Sequence, residues 1–244
     1  MIYNKILITG GSGKLGSVLL ASGLGNRNIL APTRAEMDIT NKAQVIEYFS
    51  KNQIDAVIHC AAYTNVRGCE ENPDVAIKSN VIGTANVVEA ALKQNPRFIY
   101  LSTDYVYPCS HGPYSEKDKT IPFTSYGWSK LGGECTVKLL KNHCIIRTSL
   151  FNPQNISFDT APIDAFYSKI SFSELAKAIK ILLDKEFIGT VNIGQERASA
   201  YEILSKYKPE IRPVSIKDIP GFDRAVDSSL DITLWKSIRG VVEN

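Results

Sequence analysis

Short unbroken apolar runs recur along the chain, separated by segments with helical spacing. Ile6, Leu7, Ile8 and Thr9 form the first run, with the β-branched character of a buried strand. Leu15, Val18 and Leu19 follow on one helical face. Residues 28–31 read as a second strand, and Val45, Ile46 and Phe49 as the apolar stripe of a second helix. Ala56, Val57, Ile58 and His59 form a third strand, and Pro73 opens a long helix reaching about residue 93. Asn80, Gly83, Thr84 and Asn86 interrupt that helix with polar and small residues. Such residues cost helix propensity and point to close packing or a functional contact on their face. Phe98, Ile99, Tyr100 and Leu101 form a fourth strand. A helix through Leu131, Val137, Leu139 and Leu140 leads to a fifth at Cys144, Ile145, Ile146 and Arg147.

The alternation then stops. Residues 151–169 have prolines and no period, and read as loop or a reduced lobe. Ser171 or Ser173 caps a helix with Leu175, Ala178, Ile179 and Leu182 on its apolar face. A short strand at 189–194, a short helix at 200–207, an extended piece at 211–216 and a closing helix at 231–238 complete the chain, with Gly240 just beyond. Two domains are expected, 1–150 and a C-terminal lobe at 151–244. The helix at 171–185 and the strand at 189–194 could pack back on the first domain.

Composition narrows the class. The 244 residues are 44% hydrophobic and 22% charged, the profile of a soluble globular protein. Twenty-eight basic against 25 acidic residues give a net charge of +3, and no basic run suggests nucleic acid. Five cysteines (Cys60, Cys69, Cys109, Cys135, Cys144) have no C-x-x-C spacing, and three histidines are scattered, so neither a disulfide framework nor a metal site is expected. The first strand begins too early for a signal peptide, and no apolar run would span a bilayer. A cytoplasmic protein is expected.

The candidate chemistry begins at the first turn. The first strand runs into Gly10, Gly11, Ser12, Gly13, Lys14, Leu15 and Gly16, and then into a helix. Glycines there permit close backbone approach, and the helix N-terminus offers unpaired N–H groups to a pyrophosphate. The second strand ends at Pro32, Thr33 and Arg34, a cation where an acid would hold the ribose of NAD. Arg34 could pair with a 2′-phosphate, which favours NADPH, while Glu36 keeps NADH open. Asp38 is either a helix cap, as is Thr40, or a contact to adenine. Ala61 and Ala62, small residues past the third strand, let a cofactor lie close. His59 reads as a packed strand-end residue and Cys60 as a small buried hydrophobe. Thr103, at the end of the fourth strand, could bond a substrate oxygen or merely the backbone. Tyr126 and Lys130 lie one turn apart on one helical face, where the ammonium would lower the phenol's pKa from its usual value of about 10.

These stretches, with the segments 101–107, 126–134 and 227–231, resemble the extended short-chain dehydrogenase/reductases, and among them the dTDP-4-dehydrorhamnose reductase group. The resemblance implies an α/β fold, a Rossmann-type doubly wound parallel sheet with a small, reduced C-terminal substrate lobe. It implies a triad in which Thr103 orients the substrate carbonyl, Tyr126 donates the proton and Lys130 tunes Tyr126 and bonds the nicotinamide ribose. It places Gly10, Ser12, Gly13, Lys14 and Leu15 at the pyrophosphate, Arg34, Asp38 and Ile39 at the adenosine, and Ala61, Ala62 and Tyr63 along the cofactor. The implied reaction is NADPH-dependent reduction of a 4-keto-6-deoxy sugar nucleotide. No nucleic acid or membrane partner is implied, and a homodimer is left open. The same resemblance admits a non-catalytic regulatory subunit like the β subunit of methionine adenosyltransferase, or an epimerase. Relatives that epimerise carry a cysteine two residues after the catalytic Ser/Thr. Tyr105 stands there in this chain, with Cys109 four further on. The chain is also short for the group, with losses expected between Arg147 and Ser171 and near the end.

Overall fold

The computed structural model describes residues 3–219 and 225–240. The first half alternates strand and helix: β1 (Lys5–Thr9), α1 (Lys14–Ser22), β2 (Asn28–Leu30), α2 (Lys42–Lys51), β3 (Ala56–His59) and α3 (Val66–Glu71). A continuous helical run follows, made of α4 (Pro73–Ala76), a π-helical segment (Ile77–Ile82) and α5 (Gly83–Leu92). Then come β4 (Arg97–Leu101), α6 (Ser125–Val137) and β5 (His143–Phe151). The remainder comprises β6 (Thr160–Pro162), β7 (Phe166–Tyr167), β8 (Lys169–Ser171), α7 (Phe172–Asp184), β9 (Gly189–Ile193), β10 (Ala198–Ser199), α8 (Ala200–Leu204), β11 (Arg212–Val214) and α9 (Thr233–Arg239).

The main sheet has the order β2–β1–β3–β4–β5, all parallel. β9 pairs with β5 over residues that also pair with β4, so it lies on the opposite edge. β5 then runs on and pairs its last residues, Ser149 to Phe151, with β8. The strands are apolar on both faces because both faces are covered. Ile6, Ile8, Ile58, Ile99 and Ile146 pack with α1, α7 and α9 on one side. Leu7, Val57, Phe98, Tyr100 and Ile145 pack with α2, α5 and α6 on the other. The α/β fold, with a doubly wound parallel sheet, is as expected.

Several local expectations are corrected. Neither Asp38 nor Thr40 caps α2; Asn41 does, its side-chain oxygen accepting from the N–H groups of Ala43 and Gln44. α6 ends at Val137 rather than running through Leu139 and Leu140, and Leu139 is 72% exposed. Residues 151–169 are not plain loop: they hold two short strands and the start of a third, with β6 paired to β11 and β7 to β10. α7 carries a full capping box, Ser171 with Glu174, and packs against α1. The main sheet thus draws two of its strands from beyond residue 150. No helix among the described residues is long and apolar enough to cross a membrane.

Candidate functional site

The strand order reverses between β1 and β3, so a crevice opens beyond their carboxyl ends. The glycine turn fills its floor. Gly10 has φ +69°, and a Cβ there would lie 2.8 Å from the Ala61 backbone. A Cβ on Gly16 would meet the backbone of Gly10 and Gly11, so only glycine lets α1 start this close to β1. Gly13 precedes α1 and no side chain caps the helix. Its first N–H groups are therefore available to an anion, and the cradle fits a dinucleotide pyrophosphate.

Two cavities meet over this turn. One of about 540 Å³ is lined by Gly10, Ser12, Gly13, Arg34, Asp38, Ile39, Ala61, Ala62 and Tyr63. The other, about 570 Å³, is lined by Lys14, Leu15, Thr103, Tyr126 and Lys130, and shares Gly10, Gly13, Cys60 and Ala62 with the first. Every residue that the resemblance assigns to the cofactor or to the triad therefore lines one of these two adjoining cavities. Arg34 is neither idle nor open: its Nε donates to Asp38 Oδ2 at 2.9 Å. Its side chain is 81% exposed, and an exposed ion pair of this kind is weak enough to yield to a phosphate. Asp38 also accepts from the N–H and hydroxyl of Thr40. Burial works to raise its pKa, but these bonds outweigh it and hold the carboxyl low. Glu36 turns back to the Thr33 N–H and hydroxyl.

At the other end of the cleft, Thr103 lies two residues beyond β4 and caps a short 3-10 turn, and Tyr126 stands in the first turn of α6, which Thr124 caps. Burial and then the Asp104 carboxylate push the Tyr126 phenol up, while its hydrogen bond with Thr103 works downward. The expected lowering by Lys130 is not found among these influences. The Lys130 ammonium sits instead 4.2 Å above the Tyr100 ring. Burial pulls its pKa down to about 7, against the opposing pull of Glu134. A raised phenol pKa keeps Tyr126 protonated at neutral pH, the form a proton donor needs. Tyr105 presents a second ring edge-on, 6.3 Å from that of Tyr126.

Several supporting residues were given no partner by the sequence, although Asn80 was marked there as out of place in its helix. Glu134 continues the Tyr126–Lys130 face by one turn and is fully buried. It accepts from Arg147 through both oxygens (2.9 and 2.7 Å) and from the Ser102 hydroxyl at 2.6 Å. Arg147 also donates to the Tyr107 hydroxyl. α6 is thereby bolted to the end of β4 and to β5. Asn80, in the π-helical segment, donates to Tyr63 O and Ser129 Oγ and accepts from the Tyr63 N–H. It joins the end of β3 to α6, which explains a polar residue inside that helix. Asp104, 2% exposed, accepts from the hydroxyls of Thr103 (2.9 Å) and Ser228 (2.6 Å). Burial pushes its carboxyl up, with Lys169 among the influences opposing.

Other candidates fall away from the chemistry. His59 bonds Thr9 and Thr84, and burial lowers its pKa to about 3, so it is neutral. Burial raises the Cys60 thiol to about 12. Cys109 directs its thiol at the carbonyls of Asp104 and Tyr107, away from the cleft. Among the described residues, no group of three or more His, Cys, Asp or Glu is placed to hold a metal ion.

Comparison with known proteins bears on this geometry. Residues 4–159 match the family model described as the RmlD substrate binding domain. A dTDP-4-dehydrorhamnose reductase of Mycobacterium tuberculosis is 31% identical over 248 residues, covering 88% of this chain and 81% of that protein. A dTDP-4-keto-6-deoxy-D-glucose reductase of Streptomyces niveus is 32% identical over 160 residues, covering 64% and 56%. The crystal structure of dTDP-4-dehydrorhamnose reductase from Bacillus anthracis in complex with NADP matches with a TM-score of 0.87 at 27% identity, over 100% of this chain and 94% of that one.

Proposed function

This chain belongs to the RmlD substrate-binding-domain family, and from that premise we propose that it is an NADPH-dependent reductase of a 4-keto-6-deoxy sugar nucleotide, of the dTDP-4-dehydrorhamnose reductase kind. The observation that carries this reading is the convergence of Thr103, Tyr126 and Lys130 on a cleft that begins at the glycine turn. NADPH, when bound, supplies the hydride to the carbonyl carbon. The chain's residues do the rest. The α1 N-terminus and the glycine turn hold the pyrophosphate, and Ala61, Ala62 and Tyr63 lie along the cofactor. Arg34 turns from Asp38 to the 2′-phosphate, and Asp38 and Ile39 flank the adenosine; NADH is the second choice. Lys130 would hold the nicotinamide ribose, its amine placed by the Tyr100 ring beneath it. Thr103 orients the substrate oxygen. Tyr126 gives its phenolic proton to the oxygen as the carbonyl becomes an alkoxide, so that the alcohol leaves neutral and solvent restores the phenol.

The division of labour follows the chain. The domain at 1–150 would carry the cofactor, and Lys169 and Phe172 from the lobe beyond it line the side where the substrate would lie. A cytoplasmic location fits this role, and size measurement in solution decides between monomer and homodimer.

Purified protein with NADPH and dTDP-4-dehydrorhamnose should lose reduced-nicotinamide absorbance. Tyr126→Phe should lower kcat by about 10²–10⁴-fold with NADPH affinity retained. Equal turnover in wild type and Tyr126→Phe would remove Tyr126 as the donor. Tight NADPH binding with no turnover of any 4-keto sugar nucleotide would favour the regulatory-subunit reading instead.

A further inference from the structure

Beyond the catalytic cleft lies a third cavity of about 670 Å³, walled by residues of 151–207. Lys169 is the one residue that lines both it and the cavity of Thr103 and Tyr126. It sits on β8, paired in register with Ser149 of β5, and Ser149 lines the catalytic cavity as well. The Lys169 side chain therefore stands at the doorway between the two spaces.

The charges around the doorway are partitioned. Three glutamates line the outer cavity, and each has a partner: Glu174 bonds Ser171 and Gln195, Glu202 bonds Ser199, and Glu196 pairs with Lys236. Arg197 is taken up by Asp227 at 2.9 Å. Lys169 and Lys206 are different. Among the described residues, neither comes within ion-pairing distance of a carboxylate. The Lys169 ammonium lies 4.4 Å over the Tyr167 ring, a contact that leaves its three N–H donors free. Asp104 acts on it only at longer range, and that carboxyl is itself pushed toward its neutral form by burial. Tyr207, 52% exposed, lines the same cavity with its ring edge-on to Phe151. A partly buried ammonium with unused donors, facing a void, is costly unless an anion completes it.

A sugar nucleotide with its carbonyl at Tyr126 has one anionic part, the diphosphate, between the sugar and the nucleoside. A molecule reaching from the catalytic cavity into the outer one must cross Lys169 with some intermediate group. We propose that Lys169 is the specificity residue that receives the diphosphate of the substrate, with Lys206 as the second cation on the outer side. The identity of the anion rests on the reductase reading above. The competing source of the same chemistry is the pyrophosphate of the cofactor, and the glycine turn already provides for that.

Binding of dTDP and of NADPH to full-length wild type, Lys169→Gln and Lys169→Arg separates these cases. Lys169→Gln should lose about tenfold or more in dTDP affinity, with NADPH affinity unchanged. Lys169→Arg should stay within about threefold, because the charge is kept. In turnover, Lys169→Gln should raise KM for the keto sugar nucleotide with little change in kcat. Equal dTDP affinity in wild type and Lys169→Gln overturns the proposal, as does the absence of dTDP binding to wild type. Parallel loss of NADPH affinity overturns it too, by making the residue structural or part of the cofactor site. The two readings fail separately. Lys169-dependent dTDP binding without reduction of any keto sugar removes the reductase reading alone. Turnover with KM unchanged in Lys169→Gln removes this proposal alone.

Discussion

Burial brings the Lys130 amine down to about 7, far below an unfolded lysine at about 10.4. The sign of the consequence is fixed. Between these values the unfolded chain holds a proton that the folded one lacks, so stability rises with pH. Below about 7 both states are charged, and the cost of burying the charge is fully present. Each unit of difference corresponds to about 1.4 kcal/mol. Urea unfolding at pH 7 and pH 9 should therefore show wild type gaining about 1–3 kcal/mol more than Lys130→Met across that interval. Identical gains would mean that the amine is not held down. The spacing of Tyr126 and Lys130 marked the pair in the sequence, but not the direction in which each is tuned. The ammonium is turned to Tyr100, and Asp104 stands close enough to the phenol to raise it. Both effects arise between residues far apart on the chain or across a strand end, where no periodicity reports them.

Among the elements, α6 holds the proposed proton donor and is anchored from inside the protein. Tyr126, Lys130 and Glu134 lie on one face at successive turns, and Glu134 locks to Arg147 and Ser102. Glu134→Gln leaves Arg147 as a buried cation without its carboxylate. It should cost about 3–5 kcal/mol, measured by denaturant unfolding, and should weaken NADPH binding through Lys130. A loss below about 1 kcal/mol would mean that the pair is not a buried lock. Strands and helices with long apolar runs were legible because both faces of the sheet are covered. The exceptions have local causes. β6, β7 and β10 are two or three residues long, too short for a period, and find their partners some tens of residues away. The π-helical segment leaves no trace in hydrophobic spacing. Only the misfit of Asn80 in a helix hinted at it, and its partners, Tyr63 and Ser129, come from other elements. Asn41 rather than Asp38 caps α2 because Asp38 is already committed to Thr40 and Arg34.

For the whole molecule, the two ends of the sheet have different tasks. The carboxyl ends hold the cleft. At the opposite end Arg97, fully buried, donates to Asn142 and to the carbonyls of Leu182 and Phe187, tying β4 to the turn after α7. Arg97→Met should lower stability by about 1–3 kcal/mol, since buried carbonyls lose their donor, while NADPH affinity stays at the wild-type value. A calorimetric scan and a binding titration on the same sample check both halves; unchanged melting with lost NADPH affinity would reverse the assignment. Thr103, Tyr126, Lys130 and the glycine turn were readable because each lies on or beside an element with a clear signal. Lys169, Asp104 and Ser228 were not, because they meet only after the chain folds back from beyond residue 160.

β5 is the longest strand, and one unbroken backbone passes from the partner of β4 to the partner of β8. Tyr126 is referenced to it through Glu134 and Arg147, and Lys169 through its register with Ser149. The protein thus has a ruler with two fixed marks, a proton at one and a positive charge at the other. A ligand is gauged by the number of bonds between its carbonyl and its phosphorus, before any detail of the sugar or the base is read. A keto sugar with its phosphate one bond nearer or farther would touch only one mark at a time.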